Sequence, residues 1–162
     1  NKKYQKKFLA LRNHGQFNKK YHHDIVGFNA RLDTLQAGIL LTKIKYFKKS
    51  ILNRKKIAKI YFDQLKNCNK IQLPTISNFN KSVYAQFTIK TKFRSKLIKI
   101  FKSQNIPFAI YYPKILSEQK AFQQLENNKV SKMLTKDLIS IPFSACLNKK
   151  DQAKVINAIK KL

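Results

Sequence analysis

The sequence is poor in the residues that mark secreted, membrane-spanning or metal-binding proteins. Only two cysteines and three glycines occur in 162 residues, and Cys68 and Cys146 lack the paired spacing of a zinc site or redox motif. The longest apolar stretches are far shorter than the roughly 20 residues that cross a bilayer, and the lysine-rich start has no signal-peptide core. These absences favour a soluble protein of the reducing cytoplasm, without a metal site.

Acidic residues are also scarce: seven stand against 35 lysines and arginines, for a formal net charge of +28. A basic surface can bind nucleic acid by displacing counterions from its phosphates. Only Arg12, Arg31, Arg54 and Arg94 are arginines, however, whereas base-reading surfaces favour the planar guanidinium. The lysines are spread over nearly every segment, so a lysine-rich nucleic-acid-binding module is the weakest alternative.

The hydrophobic content of 43% suffices for one domain-sized core. Residues 32–66 carry apolar side chains about every 3.6 residues, which predicts one long helix or two joined by a bend, capped by Asp33 or Thr34. Gly15 is expected to end an earlier helix in a left-handed conformation. The other predicted elements are helices at 2–13, 94–104, 119–124 and 149–161, and strands at 82–89, 108–112 and 138–141.

Four ordered blocks of sequence carry a family resemblance. They are residues 11–37 (with LRNHGQ, YHH and GFNARLDTLQA), 82–89 (SVYAQFTI), 110–122 (IYYPKILSEQKAF) and 139–142 (ISIP). Together they closely resemble the DegT/DnrJ/EryC1/StrS family of sugar aminotransferases. The combination of YHH, VYAQ and YYP looks most like the branch that aminates 3-keto sugars attached to UDP.

The resemblance implies an α/β fold that is the C-terminal portion of a type I aminotransferase. We expect a long helix followed by an α+β small domain, in which helices flank a small mixed sheet. Residues 1–31 would end the large cofactor domain, residues 32–66 would form the connecting helix, and residues 67–162 would form the small C-terminal domain. The resemblance also implies a homodimer, or a complement to a separate large domain, with active sites at the interface.

The implied cofactor is pyridoxal 5'-phosphate, which reacts through a Schiff-base lysine. In the family that lysine precedes the block at residues 11–16, so no catalytic residue is assigned here, and we expect the chain to be inactive alone. Since the chain starts at Asn1 and its only methionine is Met133, further sequence upstream is expected. The implied reaction transfers an amino group, with glutamate as donor, to a UDP-linked keto sugar for surface polysaccharide. A non-catalytic subunit that completes a partner's site, or a degraded gene remnant, is the alternative.

The resemblance assigns five residues of this chain to the site. Asn29 matches the asparagine that reaches the neighbour's cofactor phosphate, where an amide can donate without adding charge. Arg31 is expected to orient that loop or to bind a substrate phosphate or carboxylate in a bidentate manner. Tyr111 and Tyr112 match the pair that lines the nucleotide-sugar site, and Arg12 is a weaker candidate for the substrate's acidic groups.

The residues taken alone permit simpler interpretations. Asn29 is a possible cap of the long helix, and Arg31 a possible partner of Asp33 or Asp24. The two tyrosines at 111 and 112 could be strand residues, one buried and one on the surface. The histidines at 14, 22 and 23 have no carboxylate or cysteine at a metal-binding spacing and are interpreted as loop supports.

The chain also departs from the family pattern. Residues 113–117 lack the second proline and the histidine that the family usually carries, and Ser144 stands where another histidine is expected. Altered or decaying substrate handling is therefore a second expectation.

Overall fold

The computed structural model describes residues 2–122 and 128–162. The chain divides into two compact units, Asn1–Phe47 and Lys48–Leu162. The domain boundaries expected at residues 31 and 66 refer to a longer protein and stay predictions.

The first unit consists of two helices and the long loop between them. Helix α1 spans Lys2–Arg12 and helix α2 spans Thr34–Ile44. Within the described part of this unit only Ala10 and Gly15 are buried, and no residue of α2 is. The unit therefore has almost no core of its own, and its loop is held chiefly by backbone hydrogen bonds.

The helical pattern predicted over residues 32–66 is two helices rather than one. Helix α3 spans Phe47–Leu65. At the break before it, the Tyr46 N–H donates to the Lys43 carbonyl at 3.0 Å, and this separation of three residues is that of a 3-10 turn rather than an α-helix. Asp33, one of the two predicted caps, accepts a hydrogen bond from the Leu35 N–H at 2.7 Å. The acidic side chain thus satisfies one of the free N–H groups at the start of α2.

The second unit contains a two-stranded sheet. Strand β1 spans Phe87–Lys90 and pairs antiparallel with β2, Leu138–Ile141. Ala109 continues the sheet beyond β2 through an isolated bridge to Ser140, and Gln72 bridges to Lys90 beside β1. All pairings among the described residues are antiparallel, so the expected mixed sheet has no parallel pair there.

Three helices of the second unit bury their apolar sides around this sheet. They are α3, α4 (Arg94–Ser103) and α6 (Lys149–Lys160). The largest fully buried side chains are Tyr61, Leu65, Phe87, Ile89, Leu97, Phe101, Ile139 and Ile159. Helices α4 and α6 match the helices predicted at 94–104 and 149–161, and each ends one residue earlier than predicted. Both predictions are confirmed. No helix in residues 2–122 and 128–162 has the length and apolarity that a membrane span requires.

Three local predictions need correction, and one helix was not predicted. The strand predicted at residues 82–89 begins only at Phe87, because Tyr84 has a positive φ of 49° that an extended strand does not allow. The strand predicted at 108–112 is reduced to the single bridge at Ala109. Two short 3-10 turns, Leu116–Glu118 and Lys120–Phe122, lie near the helix predicted at 119–124, whose last two residues fall outside the described ranges. Helix α5, Lys129–Asp137, was not predicted.

Candidate functional site

The loop that carries Asn29 is paired with the end of α1. The Phe28 N–H donates to the Leu11 carbonyl at 2.7 Å, the His14 N–H to the Phe28 carbonyl at 2.9 Å, and the Ala30 N–H to the Arg12 carbonyl at 2.9 Å. These bonds form an isolated antiparallel bridge between Asn13 and Asn29. The backbone on both sides of Asn29 is therefore fixed next to the Arg12–Asn13 backbone.

Two glycines allow the segments to approach so closely. Gly15 has a φ of +79°, as predicted, and a Cβ there would lie 1.7 Å from the Ile25 carbonyl oxygen. A Cβ on Gly27 would lie 2.1 Å from the Gly15 nitrogen. His23 adds a hydrogen bond from Nδ1 to the His14 carbonyl at 2.8 Å, which agrees with a loop-supporting role for that histidine. Any larger residue at 15 or 27 would push the paired segments apart.

Asn29 and Arg31 are exposed, and their side chains make no hydrogen bond or ion pair within residues 2–47. The cap of α2 is Asp33 rather than Asn29. The Asp33 carboxylate is occupied by the Leu35 N–H, and the Asp24 carboxylate accepts from the Phe17 N–H at 3.2 Å. Neither of the simpler interpretations, a helix cap for Asn29 or an ion pair for Arg31, is therefore realised.

Arg31 borders two adjoining clefts of about 500 and 520 Å³. Arg12 and Lys6 line the larger cleft, and Lys19 and Lys20 line the other. The other lining residues are neutral amides, a histidine, a tyrosine and apolar side chains, and none of the described residues at either cleft is a carboxylate. Both clefts therefore suit a phosphate or carboxylate, which guanidinium groups can bind through two parallel hydrogen bonds.

Tyr111 and Tyr112 lie on the loop that follows the Ala109 bridge in the second unit. Both are exposed, by 46% and 70%, so the alternative in which one of them is a core residue is wrong. Their ring centroids are 5.8 Å apart in an edge-to-face arrangement. Both line a cavity of about 420 Å³, and Tyr111 also lines a second cavity of about 280 Å³.

The smaller cavity has apolar walls built on the sheet and on the segment after β2. They are formed by Phe87, Phe108, Ile141, Pro142 and Phe143, and the polar side chains of Gln86 and Ser140 complete the lining. Ser117 lines the larger cavity, and it belongs to the segment 113–117 that lacks the histidine usual in the family. The other departure, Ser144, is exposed and its Oγ accepts from the Cys146 N–H at 3.3 Å.

Two side chains of α3 hold the walls of the smaller cavity, and sequence reasoning missed both. Arg54 donates from one guanidinium nitrogen to the Tyr84 carbonyl at 2.8 Å, and Tyr61 donates to the Pro142 carbonyl at 2.8 Å. The sequence offers a signal only for Arg54, because arginine is rare in this lysine-rich chain and a retained arginine suggests a specific contact. Arg94 acts similarly elsewhere, donating to the Thr135 and Leu138 carbonyls.

The predicted site residues thus fall into two groups. Arg12, Asn29 and Arg31 lie in the first unit, where the two arginines share a cleft. Tyr111 and Tyr112 lie in the second unit and share another cavity. The roles of these five residues in binding stay predictions.

The fold of the chain occurs in solved aminotransferases. A DegT DnrJ EryC1 StrS aminotransferase from Brucella abortus superposes with a TM-score of 0.88 at 30% identity, over 96% of this chain and 42% of that protein. NtdA from Bacillus subtilis, solved with bound cofactor PMP, superposes with a TM-score of 0.87 at 26% identity, over 100% of this chain and 40% of that protein. The predicted fold class is confirmed by these similarities.

Sequence comparison gives the same result. Residues 1–160 match the DegT/DnrJ/EryC1/StrS aminotransferase family, and the chain belongs to this family. It is 44% identical over 108 residues to the UDP-2-acetamido-2-deoxy-3-oxo-D-glucuronate aminotransferase of Pseudomonas aeruginosa, covering 67% of the chain and 30% of the relative. It is 33% identical over 152 residues to the dTDP-3-amino-3,6-dideoxy-alpha-D-galactopyranose transaminase of Aneurinibacillus thermoaerophilus, covering 93% and 41%. The chain spans less than half the length of these curated relatives.

Proposed function

We propose that this chain is the C-terminal part of a pyridoxal-phosphate-dependent aminotransferase that acts on a nucleotide-linked keto sugar. The observation that carries the proposal is the pair Asn29 and Arg31, exposed and without side-chain partners on a loop whose backbone is fixed. A rigid loop that presents an unused amide and an unused guanidinium is suited to a ligand that lies outside its own unit. The relatives at 33% and 44% identity are named as aminotransferases of nucleotide sugars, which supports the same substrate class.

Asn29 fits the phosphate of the cofactor. Its amide can donate a hydrogen bond to a phosphate oxygen, and the neighbouring clefts contain basic side chains without a carboxylate. Bound pyridoxal phosphate would supply the electron sink for amino transfer. The Schiff-base lysine is assigned to a preceding large domain, so this chain contributes binding groups rather than the reacting amine.

Arg31 and Arg12 are proposed to bind acidic groups of the substrate. Their shared cleft of about 520 Å³ also contains Lys6, so a diphosphate or a sugar carboxylate would meet several cations. Tyr111 and Tyr112 are proposed to line the nucleotide-sugar site, where their exposed rings offer flat apolar surface and their hydroxyls offer hydrogen bonds. We assign UDP as the nucleotide, following the 44% relative, and glutamate as the amino donor.

The proposed assembly is a homodimer, or a complex with a separately encoded large domain, in the cytoplasm. The proposed pathway is the synthesis of surface polysaccharide. Alone, the chain is expected to be inactive, because the groups described here bind and orient but do not carry out amino transfer.

Visible absorbance tests this proposal directly. The purified chain is incubated with pyridoxal phosphate and scanned before and after borohydride reduction, which would fix a lysine-bound cofactor permanently. We expect no specific lysine-linked absorbance band and no reduced adduct. A stoichiometric adduct on one lysine of this chain would contradict the assignment of the lysine to another domain.

A second experiment separates an active assembly from the non-catalytic and degraded alternatives. The chain is co-expressed with the product of the reading frame directly upstream, and the two are purified through a tag on one of them. Co-purification with amino transfer to a UDP-linked keto sugar supports the proposal. If activity then persists unchanged in the Asn29→Ala and Arg31→Ala variants, the roles of these residues are wrong.

A further inference from the structure

Gln86 lies at the rim of the 280 Å³ cavity beside Tyr111, and no role has yet been assigned to it. It is exposed, borders the cavity, and its amide makes no hydrogen bond within residues 48–122 and 128–162. The other polar side chain on the wall, Ser140, is already paired, because its Oγ lies 2.7 Å from the Thr88 hydroxyl. The backbone of Ala109 and Ser140 is also paired. Gln86 and Tyr111 are therefore the two side chains at this cavity with free polar groups for a ligand.

The segment that carries Gln86 is held in an unusual conformation. Tyr84 has a φ of 49°, and its N–H donates to the Ser82 hydroxyl at 3.1 Å rather than to a strand partner. The chain therefore leaves the extended conformation just before β1. Residues 85 and 86 are thereby placed at the cavity instead of continuing the sheet.

Arg54 fixes this conformation from helix α3. One guanidinium nitrogen lies 2.8 Å from the Tyr84 carbonyl oxygen and 3.5 Å from the Ala85 carbonyl oxygen. The guanidinium carbon also lies 5.7 Å from the centre of the ring of Phe143, which lines the same cavity. Arg54 thus contacts the segment before Gln86 through hydrogen bonds and the cavity-lining Phe143 through a cation–π contact. It does not itself line the cavity.

We propose that Gln86 is a further substrate-binding residue, which contacts a neutral polar group of the nucleotide sugar, and that Arg54 is the positioning residue that holds it there. This inference rests on the proposed function. The ligand group is neutral because an amide donates and accepts without adding charge, and the cavity walls are apolar.

The test is a titration of the ¹⁵N-labelled 162-residue chain with UDP-N-acetylglucosamine, a stable nucleotide-linked sugar, followed by NMR. The side-chain NH₂ signals of Gln86, assigned by their loss in Gln86→Met, are expected to shift on binding. Because one hydrogen bond to a neutral group is lost, Gln86→Met should weaken binding by about 2- to 10-fold. Gln72→Met, an exposed glutamine of the same unit away from the cavity, should bind like the unmodified chain.

A double-mutant cycle separates positioning from a general structural effect. If Arg54 acts through Gln86, Arg54→Met should weaken binding about as much as Gln86→Met, and should weaken it no further in the Gln86→Met background. Arg54→Lys should recover only part of the affinity. The lysine ammonium has no planar face that could stack on Phe143 while it bonds the carbonyls, as the guanidinium does. Lys96→Met is the matched control, because Lys96 also donates to a backbone carbonyl, that of Leu162, and neither residue lines this cavity or the 420 Å³ cavity.

Three outcomes would overturn the inference: affinity unchanged in Gln86→Met, additive losses in the double variant, or a loss in Lys96→Met equal to that in Arg54→Met. In each of these cases the unmodified chain still binds the nucleotide sugar, so the proposed function stands. If the folded, unmodified chain shows no shift with this ligand at any residue, the inference fails, whereas the proposed function, which requires the large domain, is decided by the co-expression experiment.

Discussion

Tyr61 donates a hydrogen bond to the Pro142 carbonyl oxygen over 2.8 Å, joining helix α3 to the segment after β2 across 81 residues of sequence. The tyrosine ring is fully buried and lies 5.1 Å, between centroids, from the Phe87 ring. One side chain therefore contributes both to the aromatic core and to the wall of the cavity that Tyr111 lines.

Tyr61→Phe should lower the free energy of unfolding by about 1–2 kcal/mol. The ring would remain in place, but the carbonyl of Pro142 would lose its partner in a partly buried position. Urea denaturation followed by circular dichroism measures the change. Tyr46→Phe, at an exposed position, is the control and should have no effect; an equally small effect at Tyr61 would mean that the hydrogen bond contributes nothing.

The unmodified chain and Tyr61→Phe should also differ in how their stability changes at alkaline pH. Burial raises the pKa of Tyr61 above its ordinary value of about 10, because the phenolate would lose its hydration. When folding raises the pKa of a side chain, its full contribution to stability is present below the unfolded pKa. This contribution is lost as the pH rises from the unfolded toward the folded pKa. The stability difference between the unmodified chain and Tyr61→Phe should therefore shrink above pH ~10. Lysine titration is common to both proteins and cancels in the difference, and a constant difference would contradict the argument.

The parts of the fold that local pattern determines were predictable, and the parts that depend on distant contacts were not. Helices α4 and α6 and strand β2 follow from apolar periodicity, because each buries one side against the same core. The strand at residues 82–89 failed because Arg54, about 30 residues away, bonds the carbonyls of Tyr84 and Ala85. Helix α5 was not predicted although Val130, Met133 and Leu134 recur at a helical spacing, and none of its residues is buried in the core.

The candidate site shows the same limit. The family blocks identify Asn29, Arg31 and the tyrosine pair by their positions in the sequence, but not the groups that hold them. The backbone pairing of residues 28–30 with residues 11–14 comes from two glycines that allow a close approach. The sequence marks Gly15 as a helix end and Gly27 as part of a family block, but it does not show that the two glycines face each other.

The cap of α2 predicts a measurable local effect near Arg31. Asp33→Ala should destabilise the first turn of α2 by about 0.5–2 kcal/mol, because the Leu35 N–H loses its acceptor. Asp33→Asn, which keeps a capping oxygen, should retain most of the stability. Hydrogen exchange at Leu35 and Ala37 should accelerate in the alanine variant. Asp63→Ala removes only an exposed ion pair with Lys59 and should leave this exchange unchanged.

The ion pair between Glu118 and Lys132 predicts a shifted titration. The nitrogen–oxygen distance is 2.8 Å, and the hydrogen bond from Lys132 is the main cause that lowers the pKa of Glu118. A lowered pKa stabilises the fold above the unfolded value of about 4.3, and this contribution is lost as pH falls through the folded pKa. NMR of the Glu118 carboxyl carbon should show its pKa rising toward the ordinary value in Lys132→Met. Lys129→Met, on the same helix, should leave it unchanged; equal titration curves in all three proteins would exclude the pair as the cause.

Helix α2 predicts that the chain self-associates when it is purified alone. Its apolar residues Leu35, Ile39, Leu41 and Ile44 are at least 60% exposed, and no residue of the helix is buried. Contiguous apolar surface of this kind drives association in water. The net charge of +28 opposes it by repulsion, and because salt screens that repulsion, association should increase with salt.

Sedimentation velocity at low and high salt measures this association. Leu41→Gln with Ile44→Gln should reduce it without changing net charge, whereas Leu52→Gln, at an exposed position on α3, should not. If association instead falls as salt is added, charged contacts hold the molecules together and the apolar side of α2 is not responsible. If the chain stays monomeric at high salt, the apolar residues of α2 are covered in solution. Salt screens the charge repulsion, so an uncovered apolar surface would associate under these conditions.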